Sequence, residues 1–103
     1  MEIKEMQTEA LKVIEDWNKK NNMEHNKDTV FLHLIEEIGE LATELNHKVL
    51  PWRTQYNKEN LDKEYIDVLI QLLIFARDQD INIEETFKKK IAELRERFEL
   101  DGD

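Results

Sequence analysis

The chain has 103 residues, of which 24 are acidic and 15 are basic, so its formal net charge at pH 7 is −9. This charge argues against non-specific binding to nucleic acids or anionic membranes. The length favours a single domain over residues 1–103. The absence of cysteine excludes disulfides and thiolate zinc sites and fits a cytoplasmic protein. The charged N-terminus lacks a signal-peptide core, and no apolar run approaches the roughly 20 residues that span a bilayer.

The hydrophobic periodicity predicts an all-α chain of four long helices, with few interruptions because the sequence has two glycines and one proline. Pro51 is expected to end the second helix, since proline lacks the amide that the helix needs. The predicted helices, in chain order, cover about residues 2–21, 29–50 and 58–80, and from about residue 82 onward.

Polar residues before the second and fourth predicted helices are candidate caps. Asn26, Asp28 or Thr29 can accept the free amides at the start of the second helix. Asn82 and Glu85 have the spacing of a capping box at the start of the fourth. These residues therefore mark where both helices begin.

The third predicted helix differs from the others because its apolar residues spread over most of its circumference. The main polar gap is a narrow strip of four residues: Glu64, Asp67, Gln71 and Asp78. Such a helix must be buried on several sides, and three other helices of one short chain can hardly surround it. We therefore expect a helix-mediated homodimer or dimer of dimers, with the third helix at the interface.

Two acidic motifs lie on consecutive predicted helices, Glu36-Glu37-Ile38-Gly39-Glu40 on the second and Glu64-Tyr65-Ile66-Asp67 on the third. In each motif two carboxylates are three residues apart, so they share one face of the helix. If the two helices pack side by side, four carboxylates meet and repel one another unless a cation binds between them. Oxygen ligands of this kind suit a hard divalent cation such as Mg²⁺.

The first motif also has an ordinary interpretation as a solvated helix face. Its glutamates are predicted roughly opposite the apolar stripe of the second helix, alongside His33 and Glu44, and glutamate is common on exposed helix surfaces. The second motif fits that interpretation less well, because it interrupts an apolar helix and aspartate is a poor helix former. Two such pairs on consecutive helices favour the metal site. Gly39 is compatible with a close neighbour or ligand, and equally with tight packing.

The sequence 34–42, LIEEIGELA, followed by 64–69, EYIDVL, resembles the MazG-like all-α nucleoside triphosphate pyrophosphohydrolases, which are related to the dimeric dUTPases. Their pattern is EExxE on one helix and ExxD on the next. The resemblance implies a four-helix MazG-like bundle. It also implies hydrolysis of (deoxy)nucleoside triphosphates between the α and β phosphates, which gives monophosphate and pyrophosphate, and a house-cleaning role in the nucleotide pool.

The resemblance further implies roles for five acidic residues. Glu37, Glu40, Glu64 and Asp67 would bind Mg²⁺, with Mn²⁺ as a substitute. Glu36 would lie beside them and orient the attacking water or accept its proton, and the sequence leaves the choice of base between Glu36 and Glu37 open. These roles agree with the chemistry, because phosphoryl transfer needs charge neutralisation and alignment more than covalent catalysis.

A nucleotide also needs a stacking surface and polar contacts outside a metal site. Trp17 and Tyr56 offer aromatic rings for stacking, although Trp17 also continues the apolar stripe of the first helix. For the candidates named next, the ordinary alternative is a solvated position on the surface. Our candidate substrate-binding residues are His33, Trp52, Arg53 and Gln71, which lie next to the motifs or in the loop between them.

Two other classes of protein compete with this hypothesis. A di-iron bundle uses Glu-x-x-His on two helices, but the chain has one such motif, Glu44-x-x-His47, and no second. A non-enzymatic helical interaction module would use the third helix as a docking surface and the acidic faces for solubility. The sequence favours the pyrophosphohydrolase, with a nucleoside triphosphate and a second copy of the chain as partners.

Overall fold

A computed structural model of the protein describes residues 1–50, 52 and 56–100. Its four helices are α1 (Ile3–Lys20), α2 (Lys27–Val49), α3 (Lys58–Asp78) and α4 (Ile83–Arg97). The described residues contain no strand, so the all-α prediction is confirmed, and every predicted end lies within two residues of the observed one. None of these helices has the length and apolar content needed to cross a membrane.

Asparagine side chains cap three of the four helices. At α2 the sequence offered three candidates, and the structure selects Asn26, whose Oδ1 accepts the amides of Asp28 at 2.9 Å and Thr29 at 3.1 Å. At α4 the amide of Glu85 donates to the side chain of Asn82 at 3.0 Å, which is one half of the predicted capping box. Each cap satisfies amides that would otherwise lack a helical partner. The three caps are Asn26, Asn57 and Asn82.

Helices α2 and α3 run in opposite directions and pack against each other. The rings of Phe31 and Phe75 lie 5.8 Å apart near one end, and Glu40 approaches Glu64 nearer the other. Helix α1 packs on a second side of α3. The core forms where the three helices meet, around Ala10, Val30 and Ile74, with half-buried Leu11, Ile14, Ile70 and Phe75 against it.

Helix α2 has two apolar sides with different environments. One side faces α3 and includes the buried residues Val30 and Leu34. Glu37 is half-buried and lies one turn after Leu34 on that same side. The interpretation of the first motif as a solvated face opposite the apolar residues is therefore wrong for Glu37. The other apolar side is exposed, at Ile35, Ile38, Leu45 and Val49.

Helices α1 and α2 pack on two sides of α3, and apolar residues of α3 remain exposed at Tyr65, Ile66 and Leu72. Helix α4 contributes no buried residue and exposes the rings of Phe87 and Phe98. The radius of gyration is 17.2 Å, whereas a compact chain of this length has about 13 Å. A single copy of the chain is thus an open arrangement of helices that leaves apolar residues exposed to solvent.

The cap of α3 gives a stability prediction. Replacing Asn57 by Ala removes the acceptor for the amides of Glu59 and Asn60. We expect the free energy of unfolding to fall by about 1 kcal/mol, measured by urea titration. Asn57→Ser keeps a capping oxygen and is the matched control. An equal loss in both variants would contradict the capping role.

Candidate metal centre

Three glutamates from α2 and α3 form a cluster at the shared face of the two helices. One carboxylate oxygen from each of Glu37, Glu40 and Glu64 lies within 4.8 Å of the other two. The three-residue spacing in the first motif brings Glu37 and Glu40 to one face, and the opposed direction of α3 brings Glu64 beside them. The side-by-side packing on which the metal hypothesis depended is therefore present.

Partial burial and mutual repulsion raise the pKa values of two carboxyl groups in this cluster, those of Glu37 and Glu64. Burial raises the pKa of the Glu37 carboxyl, and the nearby charges of Glu40, Asp67 and Glu36 raise that pKa further. Burial likewise raises the pKa of Glu64, followed by the neighbouring carboxyl of Glu40 and the charges of Asp67 and Glu37. Both shifts mean that placing negative charge here costs free energy in the metal-free chain.

The cluster fits a hard cation. The Oε2 atoms of Glu37 and Glu64 are buried and have no hydrogen-bond donor. Among residues 1–50, 52 and 56–100, no lysine, arginine or histidine forms an ion pair with Glu37, Glu40 or Glu64. Unpaired buried carboxylate oxygens are costly unless a cation compensates them. An all-oxygen donor set suits Mg²⁺, Mn²⁺ or Ca²⁺ better than a soft metal, so the three glutamates could hold such an ion.

A pocket of about 350 Å³ lies next to the cluster, between α1, the connection before α2, α2 and α3. His33 and Gln71 both line it. His33 is one turn before Glu37 on α2, and Gln71 is one turn after Asp67 on α3. The pocket is therefore one helical turn from Glu37 along α2 and one turn from Asp67 along α3. Its lining also includes Trp17, Asn18, His25 and Asn26.

The structure brings some predicted site residues together and leaves others apart. Asp67 is exposed and is not part of the three-glutamate cluster, but its charge acts on both Glu37 and Glu64. Glu36 is exposed and acts on Glu37 from beside it. Trp52 is also exposed and does not line this pocket. Arg53, a predicted phosphate contact, lies outside the described residues.

Two polar pairs near the site were not predicted from the sequence as contacts. His25, which lines the pocket, forms a hydrogen bond with Asp78 at the end of α3. His47 Nδ1 lies 3.7 Å from Glu44 Oε2, one turn beyond Glu40, and neither atom has a hydrogen-bond partner. The Glu-x-x-His spacing of Glu44 and His47 is a sequence signal for the second pair. The first pair has no such signal, because 53 residues separate His25 from Asp78.

Comparison with known proteins agrees with this geometry. Four helices with carboxylates on the second and third define an all-α protein with a candidate metal site. The family model of the MazG nucleotide pyrophosphohydrolase domain matches residues 25–99. The chain therefore belongs to the MazG nucleotide pyrophosphohydrolase family, and the resemblance is confirmed.

A curated relative is the "Uncharacterized protein YpjD" of Bacillus subtilis (strain 168). It is 33% identical over 66 residues, which cover 62% of this chain and 60% of YpjD. The chain thus matches about three fifths of the length of that relative. No solved structure matches the chain.

The raised pKa values predict a pH dependence for the metal-free protein. Because the pKa values of Glu37 and Glu64 are above the ordinary 4.5, the folded chain holds protons that the unfolded chain has released. The protonated carboxyl groups of Glu37 and Glu64 contribute fully to the stability of the folded chain below pH 4.5. This contribution is lost as the pH rises through their raised pKa values. We expect the unfolding midpoint in EDTA to fall over that range, and Mg²⁺ to restore it at neutral pH.

The matched variants for this pH series are Glu64→Gln and Glu59→Gln, both on α3. Glu64→Gln removes one charge from the cluster and should flatten the fall and weaken the response to Mg²⁺. Glu59 is exposed and pairs with Lys63, so its variant should follow the wild type. Identical pH curves for wild type and Glu64→Gln would contradict the repulsion described above.

Proposed function

We propose that the protein hydrolyses (deoxy)nucleoside triphosphates to the monophosphate and pyrophosphate in a Mg²⁺-dependent reaction. Water adds to the α phosphorus, the bond to the bridging oxygen of the pyrophosphate breaks, and the proton of the water is taken up by a base. The observation that carries the proposal is the cluster of Glu37, Glu40 and Glu64 beside a pocket with aromatic and amide lining. Membership of a nucleotide pyrophosphohydrolase family supports it.

Each acidic residue has a proposed part in the reaction. Glu37, Glu40 and Glu64, with Asp67 beside them, would hold the cation. A bound divalent cation neutralises phosphate charge and lowers the pKa of a water molecule. Glu36 is exposed next to the cluster and can orient the attacking water or accept its proton, as Glu37 also can. The carboxylates thereby keep the reacting groups aligned, which is the main requirement of phosphoryl transfer.

The adjoining pocket is the proposed site for the nucleobase. Trp17 offers an aromatic surface, and His33 and Gln71 offer hydrogen-bonding groups at the side nearer the carboxylates. Residues four to seven positions apart on a helix are separated by about 6–10 Å along its axis. That separation leaves room for a sugar between a base near His33 and phosphates near Glu37 and Glu40. Trp52 and Arg53 remain candidate contacts from the connection between α2 and α3.

We also propose that the working unit is a homodimer or a dimer of dimers. The exposed apolar side of α2, at Ile35 and Ile38, and the uncovered side of α3, at Tyr65 and Leu72, support this proposal. Exposed apolar helix faces of this kind are typical of an interface. The same surface also supports the competing function, a helical interaction module without enzymatic activity, and the assay below separates the two.

The activity test uses purified protein with a panel of ribo- and deoxynucleoside triphosphates, in Mg²⁺, Mn²⁺ or EDTA. Pyrophosphate and phosphate are measured separately. We expect metal-dependent release of pyrophosphate with an equal amount of monophosphate. Glu40→Gln, Glu64→Gln and Asp67→Asn should each lower kcat/KM by about 100-fold or more, because each removes a charge from the cation site.

The exposed variant Glu59→Gln is the control for this assay and should keep wild-type turnover. Unchanged turnover in Glu40→Gln and Glu64→Gln would remove the proposed cation site from the mechanism. No pyrophosphate from any nucleotide, together with an intact fold, would favour the interaction module.

Self-association gives a separate prediction. We expect light scattering after size-exclusion chromatography to give at least twice the monomer mass of 12.4 kDa. Ile35→Glu places a charge on the exposed apolar side of α2 and should shift the protein towards the monomer. Lys63→Glu, on an exposed polar position of α3, is the control. A wild type that is monomeric at micromolar concentration would contradict the proposal.

A further inference from the structure

His25 and Asp78 form a contact that the proposed chemistry does not use. The Nε2 atom of His25 lies 2.8 Å from both carboxylate oxygens of Asp78. The side chain of Asp78 is 8% exposed and that of His25 is 35% exposed. His25 belongs to the connection between α1 and α2, and Asp78 is the last residue of α3. The contact therefore ties two distant parts of the chain together.

Asp78 needs this partner for a physical reason. The C-terminal end of a helix carries partial negative charge, so a carboxylate at the end of α3 is in an unfavourable field. Burial adds to the cost, because a desolvated carboxylate requires a donor. Among the described residues, His25 is the donor to Asp78. Since an ionised carboxylate only accepts, Nε2 carries the proton, and the orientation of the imidazole ring is fixed.

The contact between His25 and Asp78 holds one wall of the pocket, because His25 is part of that wall. The connection before α2 forms one wall of the 350 Å³ pocket, through Met23, Glu24, His25 and Asn26. Asn26 anchors this wall to α2 by capping that helix. His25 anchors it to α3, the helix that carries Glu64 and Asp67. The wall is thus held to both helices that bear the carboxylates.

We propose that His25, held by Asp78, is a positioning residue of the nucleobase pocket. By fixing the wall to α3 it sets the pocket at a constant distance from the carboxylates, so it acts on nucleotide binding and leaves the chemical step alone. This inference rests on the proposed function of the site. It differs from a purely structural role in one respect, because it predicts a selective loss of affinity in a folded protein.

The test measures kcat and KM for the best nucleotide, and the affinity of the corresponding monophosphate. Affinity is followed by isothermal titration calorimetry, so the pocket residue Trp17 and the candidate contact Trp52 both stay in place. We expect His25→Ala to raise KM and the monophosphate Kd about 10-fold, with kcat within about twofold, an effect of about 1.4 kcal/mol on binding. His25→Gln keeps a donor near the position of Nε2 and should recover most of the affinity.

Two further variants keep the test decisive if His25→Ala does not fold. The double variant His25→Ala, Asp78→Ala removes both partners, so no buried charge is left without a donor, and its KM should rise as in the single variant. Asp80→Asn removes a carboxylate two residues from Asp78 at an exposed position, where the φ of 55° also suits asparagine. It is the control and should bind nucleotide like the wild type.

The outcomes separate this inference from the proposed reaction. Unchanged KM and Kd in His25→Ala and in the double variant would overturn the inference while leaving the reaction intact. A loss of kcat as large as the rise in KM would also overturn it. If the wild type binds nucleotides without hydrolysing them, the proposed reaction fails and the Kd series still decides the role of His25. If the wild type binds no nucleotide, both are overturned.

Discussion

The repulsion among carboxylates at the shared face of α2 and α3 is the constraint on which the site depends. Two helices pack most favourably when apolar residues meet, yet here Glu37 and Glu64 are half-buried at the contact and two of their oxygens have no donor. The apolar core around Val30 and Ile74 offsets the cost at one end of the helix pair. The fold thereby holds together carboxylates that could bind a metal ion.

The same two helices organise the pocket beside the carboxylates. His33 precedes Glu37 and Gln71 follows Asp67 by one turn, so both residues reach the pocket because the helices are opposed in direction. Helix α1 supplies part of the wall, including Trp17, and lies outside the region matched by the family model, residues 25–99. The carboxylates thus lie within the family domain, whereas part of the pocket is built by a helix that the match does not include.

The exposed apolar surface is the other consequence of this architecture. A chain of 103 residues in four helices has few ways to cover α3 on every side. Two sides are covered by α1 and α2, while Tyr65 and Leu72 remain exposed. The radius of gyration, larger than that of a compact chain, reflects the same shortage of covering residues. The self-association proposed above would cover this surface.

The sequence by itself determined the four helices, because periodicity and capping are local properties that adjacent residues fix. It also determined that Glu37 with Glu40, and Glu64 with Asp67, share a helix face, since the helical repeat requires it. Only the tertiary structure decided that Glu37 is half-buried against α3, that Asp67 stays at the edge of the cluster, and that His25 meets Asp78. Those facts depend on the rotation and register of packed helices, which are set by contacts between residues far apart in the chain.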